Sequence, residues 1–446
     1  MVAGTINTRI NDFLKNTNDV SFSLYAIIAS FCTYSCMYAF RKPFAVATFQ
    51  DMEIWGIDYK VLLITAQVIG YTVSKFIGIK IVSEMTSERR AQNILILTAM
   101  AGASLLLFAI TPAPYNIIFL FTNGLPLGMI WGLVFSYLEG RRYTEVLGAG
   151  LSVSFIFSSG LVKTVGKFLL LQGVSPFWMP FLTGIIFFIP MLFFVWMLNR
   201  LPPPTALDEK LRTKRKPMNR MERRKFIKTF APGLVLLIVT YALLTAFRDF
   251  RDNFAAEIWK DLGQGESALI FTSTEIPITL GVLVVLGSVV LVKNNIVALY
   301  VNHLIVIGGI MTVGLSTYLF EISLITPTTW MIMVGFGLYL GYVPFNSIFF
   351  DRLIAAFQYI SNVGFVMYVA DAFGYLGSVG VMFYKEFGHA DMSWLKFFIS
   401  NSYILTFAGT LFMVISLFYF KKKQEMLNKV SKEKVNDPPS KKMALA

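Results

Sequence analysis

Long uncharged apolar runs, separated by short polar or charged links, make up the chain from residue 21 to residue 420. Within each run the apolar residues are continuous and lack the alternation of a strand with one wet face. The first run, Ser21–Phe40, reads SFSLYAIIASFCTYSCMYAF and has 20 residues. At ~1.5 Å per residue, a helix of that length matches a hydrocarbon core of about 30 Å. Backbone inside lipid must satisfy its own hydrogen bonds, so it is helical or part of a closed barrel, and continuous apolar runs select the helix. Reading from one charged break to the next predicts twelve spans: 21–46, 60–82, 91–111, 115–138, 146–171, 176–199, 229–254, 267–291, 296–319, 328–350, 355–384 and 396–420. The first is expected to carry its helix past Arg41 and Lys42. The eleventh is rich in glycine and contains Asp371.

The links give the organisation. Residues 200–228 carry eleven Lys/Arg against three acids, with prolines at 202, 203 and 204. This is the composition of a polar linker, with a basic amphipathic helix expected on the membrane surface. It separates an N-terminal half, 1–199, from a C-terminal half, 229–420, and residues 421–446 form a basic tail. Alternating spans put Glu88-Arg89-Arg90, Arg141-Arg142, the linker and Lys421-Lys422-Lys423 on one side. The links Thr111–Tyr115 and Gln172–Ser175, nearly uncharged, fall on the other. The excess of positive charge marks the first side as cytoplasmic, so both termini are expected there. The predicted fold class is an all-α polytopic membrane protein of twelve transmembrane helices in two six-helix halves. That organisation resembles the major facilitator superfamily, in which two halves rock about a midplane site.

Composition agrees. With 56% hydrophobic and 15% charged residues in 446, the chain is too apolar for a soluble fold. The net charge of +13 gathers in the one-sided links, which argues for membrane topology and against nucleic acid. Cys32 and Cys36, one helical turn apart, read as packing residues. With His303 and His389 the only histidines, no metal site is expected, and no cofactor. No cleavable leader is evident, so the first span is expected to be retained. Neither a catalytic triad nor a phosphate-binding loop is present, so an enzyme is not expected. The expected setting is a bacterial inner membrane, with a monomer contacting lipid and a small anionic solute.

Charged residues inside spans are costly and therefore informative. Tyr34, Tyr38 and Arg41 fall at i, i+4 and i+7, on one face of a helix. A guanidinium among phenols is a candidate anion pocket, because arginine offers fixed paired donors. The competing reading is that Arg41 snorkels to the interface, where Lys42 is expected to anchor. Lys75 lies deep in the second span, and Ser158 and Lys163 lie in the fifth. In the seventh, Tyr241 precedes a dense cluster of Arg248, Asp249, Arg251 and Asp252. That cluster is either an interfacial ion-pair ladder or part of a site. Glu275, early in the eighth span, can pair with Arg248 or take up protons. Asp249, Arg251, Asp252 and Glu275 are thus candidates for coupling or gating. Arg41 and Arg248 hold corresponding places in the two halves, and two arginines facing one cavity suit a doubly charged anion, most naturally phosphate.

Several segments resemble the organophosphate:phosphate antiporter family, the glycerol-3-phosphate and hexose-phosphate transporters. They are Tyr38-Ala39-Phe40-Arg41-Lys42-Pro43-Phe44, Gly70-Tyr71-Thr72-Val73-Ser74-Lys75-Phe76, Asn123-Gly124 with Gly128-Met129-Ile130-Trp131-Gly132, Arg248, Ile276-Pro277 and Phe373-Gly374-Tyr375-Leu376-Gly377. The resemblance implies that Arg41 and Arg248 bind a phosphoryl group with Lys75 in support. Where that family carries a fifth-helix histidine, this chain has Ser158, so it reads as a divergent branch. The function implied is secondary transport of a small anionic, phosphorylated organic solute by alternating access, in exchange for phosphate or coupled to protons. The alternative is a transporter-like sensor for such a metabolite. Whether Arg248 or Arg251 faces the cavity is left open by the sequence.

Overall fold

The computed structural model describes residues 14, 16–50, 52–83, 89–139, 141, 143–205, 208, 220–289, 291–357, 363–389 and 391–436. Before the linker come α1 (Asp19–Tyr38), a 3-10 turn (Pro43–Val46), a small antiparallel hairpin of β1 (Glu53–Ile54) and β2 (Ile57–Asp58), and α2 (Tyr59–Ser83). These are followed by α3 (Arg90–Ile110), α4 (Ile117–Phe135), α5 (Thr144–Leu171, broken at Val153) and α6 (Met179–Leu198). After the linker come α7 (Arg220–Asn253), a short helix Ala255–Asp261, α8 (Ile270–Val289), α9 (Asn295–Glu321) and α10 (Pro327–Ser347). A second short helix (Phe349–Ala356), α11 (Val363–Gly388) and α12 (Trp394–Lys429) complete the chain. Among the described residues, 11 helices are long and apolar enough to cross a membrane. This is an all-α, multi-pass integral membrane protein. The remaining long helix, α11, carries Asp371, Lys385 and Glu386.

Two elements depart from expectation. The first span does not run as one helix to residue 46: α1 stops at Tyr38, and the chain turns through Ala39–Lys42. Proline at 43 has no N–H to continue the ladder, and its fixed φ instead starts the 3-10 turn. The carbonyls this frees are taken up by side chains from neighbouring helices. Gln67 Nε2 donates to the Arg41 carbonyl at 3.0 Å, and Asn123 Nδ2 donates to the Phe40 carbonyl at 3.0 Å. The second departure is that α7 begins at Arg220, inside the predicted linker. The surface helix expected in the rest of that linker falls largely on residues 209–219, outside the described residues.

Glycines set how closely the helices approach. A Cβ on Gly124 would lie 2.3 Å from the Gln67 carbonyl oxygen, and one on Gly128 would lie 2.7 Å from Ser74 Cβ. This small-residue spacing presses α4 onto α2 and fixes the face of α2 that carries Gln67, Tyr71 and Lys75. Gly309 and Gly337 play the same part between α9 and α10, where an added Cβ would fall 2.4 Å from the opposite carbonyl.

The ends of the helices define two faces. On the linker face, Arg141 donates to the Pro202 carbonyl at 2.5 Å, and Lys423 donates to the Thr229 carbonyl at 2.5 Å. The opposite, hairpin face holds β1–β2, the 3-10 turn and the helix Ala255–Asp261. Helices before and after the linker meet chiefly through α5 on α8 and α2 on α11. At the first contact a Cβ on Gly160 would lie 2.4 Å from the Phe271 carbonyl oxygen.

Candidate functional site

The turn after α1 brings two cations into the protein interior side by side. Arg41 and Lys42 are 5% and 4% exposed, so neither sits at a wet interface. Their surroundings differ. The Arg41 guanidinium lies over the Tyr71 ring at 3.9 Å from its centroid, a cation–π arrangement. Its Nε has no hydrogen-bond partner, and among the described residues no carboxylate lies within salt-bridge distance of it. Lys42 instead reaches across to α7, 2.5 Å from Asp252 Oδ2 and 2.9 Å from Asn253 Oδ1. It is therefore a buried bridging group and not the interfacial anchor that its sequence position suggests.

Asp252 collects a second lysine. Lys163 of α5 pairs with Asp252 Oδ1 and donates to the Asp252 carbonyl at 2.5 Å, and Ser159 donates to the same Oδ1. Ser158 points elsewhere, donating to Ser35 Oγ at 2.7 Å. Toward the hairpin face, Lys60 bridges Glu257 Oε1 at 2.5 Å and the Ala45 carbonyl at 2.7 Å. Burial pushes the Glu257 carboxyl above the usual range, against the pull of Lys60.

The charged cluster of α7 splits into two pairs. Arg248 bonds Asp249 Oδ1 through Nη2 at 2.7 Å and Nε at 3.2 Å, while lying 4.2 Å over the Tyr342 ring. Ser378 donates to the other oxygen of Asp249 at 2.8 Å. Arg251 turns to α8 and α10, bonding Glu275 Oε1 at 2.8 Å and the Met331 carbonyl at 3.3 Å. Glu275 thus pairs with Arg251 and not with Arg248, which was one of the two roles the sequence leaves open for it. Residues 248 and 251 are only about 60° apart around their helix, yet each side chain takes its own carboxylate.

Tyrosines line the space between the two arginines. Tyr34 packs edge-on to Tyr38 at 5.4 Å, and Tyr71 packs edge-on to Tyr375 at 5.1 Å. Both arginine charges act on Tyr38 and on Tyr375. Lys75 lies 5.3 Å from the Tyr71 centroid and 3.4 Å from Asp371 Oδ2. Tyr241 donates to Asp371 Oδ1 at 2.5 Å and stacks on Tyr342 at 5.3 Å. Arg41, Lys75, Tyr34, Tyr38, Arg248 and Tyr241 therefore share one buried centre. Lys163, Lys42 and Asp252 adjoin it toward the hairpin face, Ser158 lies apart in the α1–α5 contact, and Arg251 with Glu275 forms a separate pair.

Tyr342, Gln67 and the role of Asp371 are not read from the sequence, and Tyr71, Asn123 and Tyr375 enter it only within the family-like segments and not as site residues. One signal was present: Gln67, Tyr71 and Lys75 are spaced four apart and so share a face of α2. Asp371 was visible only as a charge in an apolar run.

Chemically, the centre combines three cations, two carboxylates and a wall of phenols in low dielectric. Charge-assisted donors in such a place bind an anion strongly, provided the bound charge replaces the solvation lost. Among the described residues no group of three or more His, Cys, Asp or Glu is placed to hold a metal ion.

Residues 43–423 match a family described as being of unknown function, DUF5690. No curated protein matches the chain in sequence. Among solved structures, a D-xylose–proton symporter aligns with TM-score 0.59 and 14% identity, over 90% of this chain and 97% of that one. The nucleoside transporter NupG aligns with TM-score 0.57 and 15% identity, over 89% and 98%. The likeness is one of fold.

Proposed function

This chain belongs to DUF5690, a family of unknown function, and we propose that it is a secondary active transporter for a small anionic solute carrying a phosphoryl group. In this reading the segments 1–199 and 229–420 are two six-helix halves, α11 completes a set of twelve spans, and both termini lie in the cytoplasm of a bacterial cell. The halves rock about the centre that holds Arg41 and Arg248. One observation carries the reading: two buried arginines from opposite sides of the linker, each laid on a tyrosine ring, with Arg41 lacking a carboxylate. An uncompensated guanidinium in low dielectric is expensive, and an anionic cargo removes that cost. Arg41 supplies charge that no carboxylate among the described residues pairs directly. Arg248 supplies charge that Asp249 already shares. The cargo draws the two together, so the loaded carrier closes more readily than the empty one, which favours exchange. The divergent organophosphate:phosphate antiporter is the finer form of the proposal, with phosphate as counter-substrate.

The test is counterflow in proteoliposomes loaded with inorganic phosphate. Labelled phosphate should enter in exchange, and Arg41→Ala and Arg248→Ala should each abolish uptake while the protein still purifies as a folded species. Normal uptake by both variants would sink the two-arginine site. Binding of phosphate without flux would make the protein a sensor instead.

A further inference from the structure

Asp371 joins the buried centre from α11, and nothing in the reading above gives it a task. Its carboxylate is held at one end: Tyr241 donates to Oδ1 at 2.5 Å, and that phenol is steadied by the Tyr342 hydroxyl at 3.2 Å. The other oxygen leans across to α2, where Lys75 Nζ lies 3.4 Å away. That separation is long for a charge-assisted hydrogen bond, whose usual span is about 2.7–2.9 Å. The contrast with Asp252 is plain, since Lys42 sits 2.5 Å from that carboxylate and Lys163 and Ser159 crowd its other oxygen. Asp252 is locked, whereas Asp371 is anchored on its own side and only loosely engaged across the interface.

Lys75 is also next to the arginine site. Its ammonium lies 5.3 Å from the centroid of the same Tyr71 ring that carries Arg41 at 3.9 Å. An anion held at Arg41 with a second negative charge has Lys75 within reach. Lys75 can turn to it while Asp371 keeps its bond to Tyr241. Of the other charged groups packed near α11, Arg248 is bonded to Asp249, whose second oxygen takes Ser378 of α11, and Arg352 of the helix Phe349–Ala356 is committed to Glu145 at 2.8 Å and Asn295 at 2.7 Å.

We propose that Asp371 is a resident competitor: it neutralises Lys75 in the empty site, and a doubly charged cargo displaces it. This rests on the reading of Arg41 and Arg248 as an anion site and adds what that site selects. A singly charged anion is satisfied by the arginines and leaves the Lys75–Asp371 contact closed. A doubly charged one gains Lys75 and opens it. Asp371 therefore sets the charge that a cargo must carry, and the substrate class is the dianion, such as a phosphate monoester. Permanently monoanionic phosphodiesters are excluded from the full set of contacts.

The experiment measures binding to the purified full-length protein by calorimetry, at a pH where inorganic phosphate is mainly dianionic. Dimethyl phosphate serves as the fixed monoanion. Asp371→Asn should bind inorganic phosphate about tenfold more tightly than wild type, a coupling of ordinary size, and dimethyl phosphate within about twofold. Lys75→Gln, which keeps the acid and its tyrosine bond, should lose affinity for inorganic phosphate and hold its affinity for dimethyl phosphate. In Lys75→Gln/Asp371→Asn the gain should vanish. A merely structural Asp371 predicts the opposite sign, weaker binding of both anions by Asp371→Asn. That result, or unchanged phosphate binding in Lys75→Gln, overturns the proposal while leaving the two-arginine site standing. If wild type binds neither anion, the anion site itself falls and the proposal with it.

Discussion

Arg41 and Arg248 are the same residue in matched places, yet they are held in opposite ways. Arg41 sits in a break between α1 and a 3-10 turn, stacked on Tyr71 with no acid on it. Arg248 sits within a continuous helix and carries Asp249 on its guanidinium. The difference extends to the whole interface. Lys42 and Lys163 meet Asp252, Lys60 meets Glu257, and Lys75 meets Asp371. In each case the cation precedes the linker and the acid follows it. Among the described residues, only the pair of Glu145 with Arg352, near the linker face, runs the other way among the bridges between the two parts. The part before the linker thus has most of its bridging cations paired across the interface, whereas Arg248 and Arg251 are balanced within the part that follows it. A charge pair that spans two moving parts is a latch, whereas a charge balanced within one part moves without cost.

The largest test of that contrast is Asp252. Asp252→Ala strands Lys42 and Lys163 in the interior, and breaking such a buried pair costs about 3–5 kcal/mol. The expected outcome is a clear fall in melting temperature of the purified protein, largely recovered by removing all three charges in Lys42→Met/Lys163→Met/Asp252→Leu. An unchanged melting temperature would mean that the cluster is wet and holds nothing shut. Next come the arginines, which should separate by stability. Arg41→Gln should weaken phosphate binding about 100-fold, the size expected for a desolvated charge contact, and leave the melting temperature in place. Arg248→Gln should lose binding and stability together, because Asp249 is left buried and unpaired. Adding Asp249→Asn should restore the stability but not the binding. Equal loss of stability in the two single variants would erase the distinction. The smallest effect is expected from Asn123→Leu, which keeps every charge. It takes the donor from the Phe40 and Ala101 carbonyls, a cost of about 1–3 kcal/mol. Phosphate affinity should fall by no more than roughly tenfold, which isothermal titration can resolve.

The membrane fold was legible in the sequence because hydrophobic run length is read directly by the bilayer. Arg41, Lys75 and Arg248 were legible for the same reason, since a cation inside an apolar run has to be explained. Pairing was not legible. Which carboxylate Arg248 takes depends on helix rotation and on what α8 and α10 present, and Glu275 went to Arg251. The end of α1 falls short of the expected span because Pro43 has no N–H to carry the helix past Arg41 and Lys42. Gln67 and Asn123 carry no charge, so hydropathy passes over them, although their amides make the break at Arg41 tolerable in low dielectric.

That break has a mechanical consequence. The backbone at Phe40 and Arg41 is tied to α4 and α2 by the amides of Asn123 and Gln67, which also bond each other at 2.8 Å. The ring beneath the guanidinium belongs to α2 as well. Arg41 is therefore pinned to the α2–α4 pair as well as to the end of α1, whose Tyr38 carbonyl accepts from the Arg41 N–H at 3.0 Å. Any tilt of α1 is then a swing about this pinned end, smallest at the charge and largest at the far end of the helix. Distances from a spin label at Leu24, which is exposed on α1, would then change while those from a label beside Tyr71 hold still.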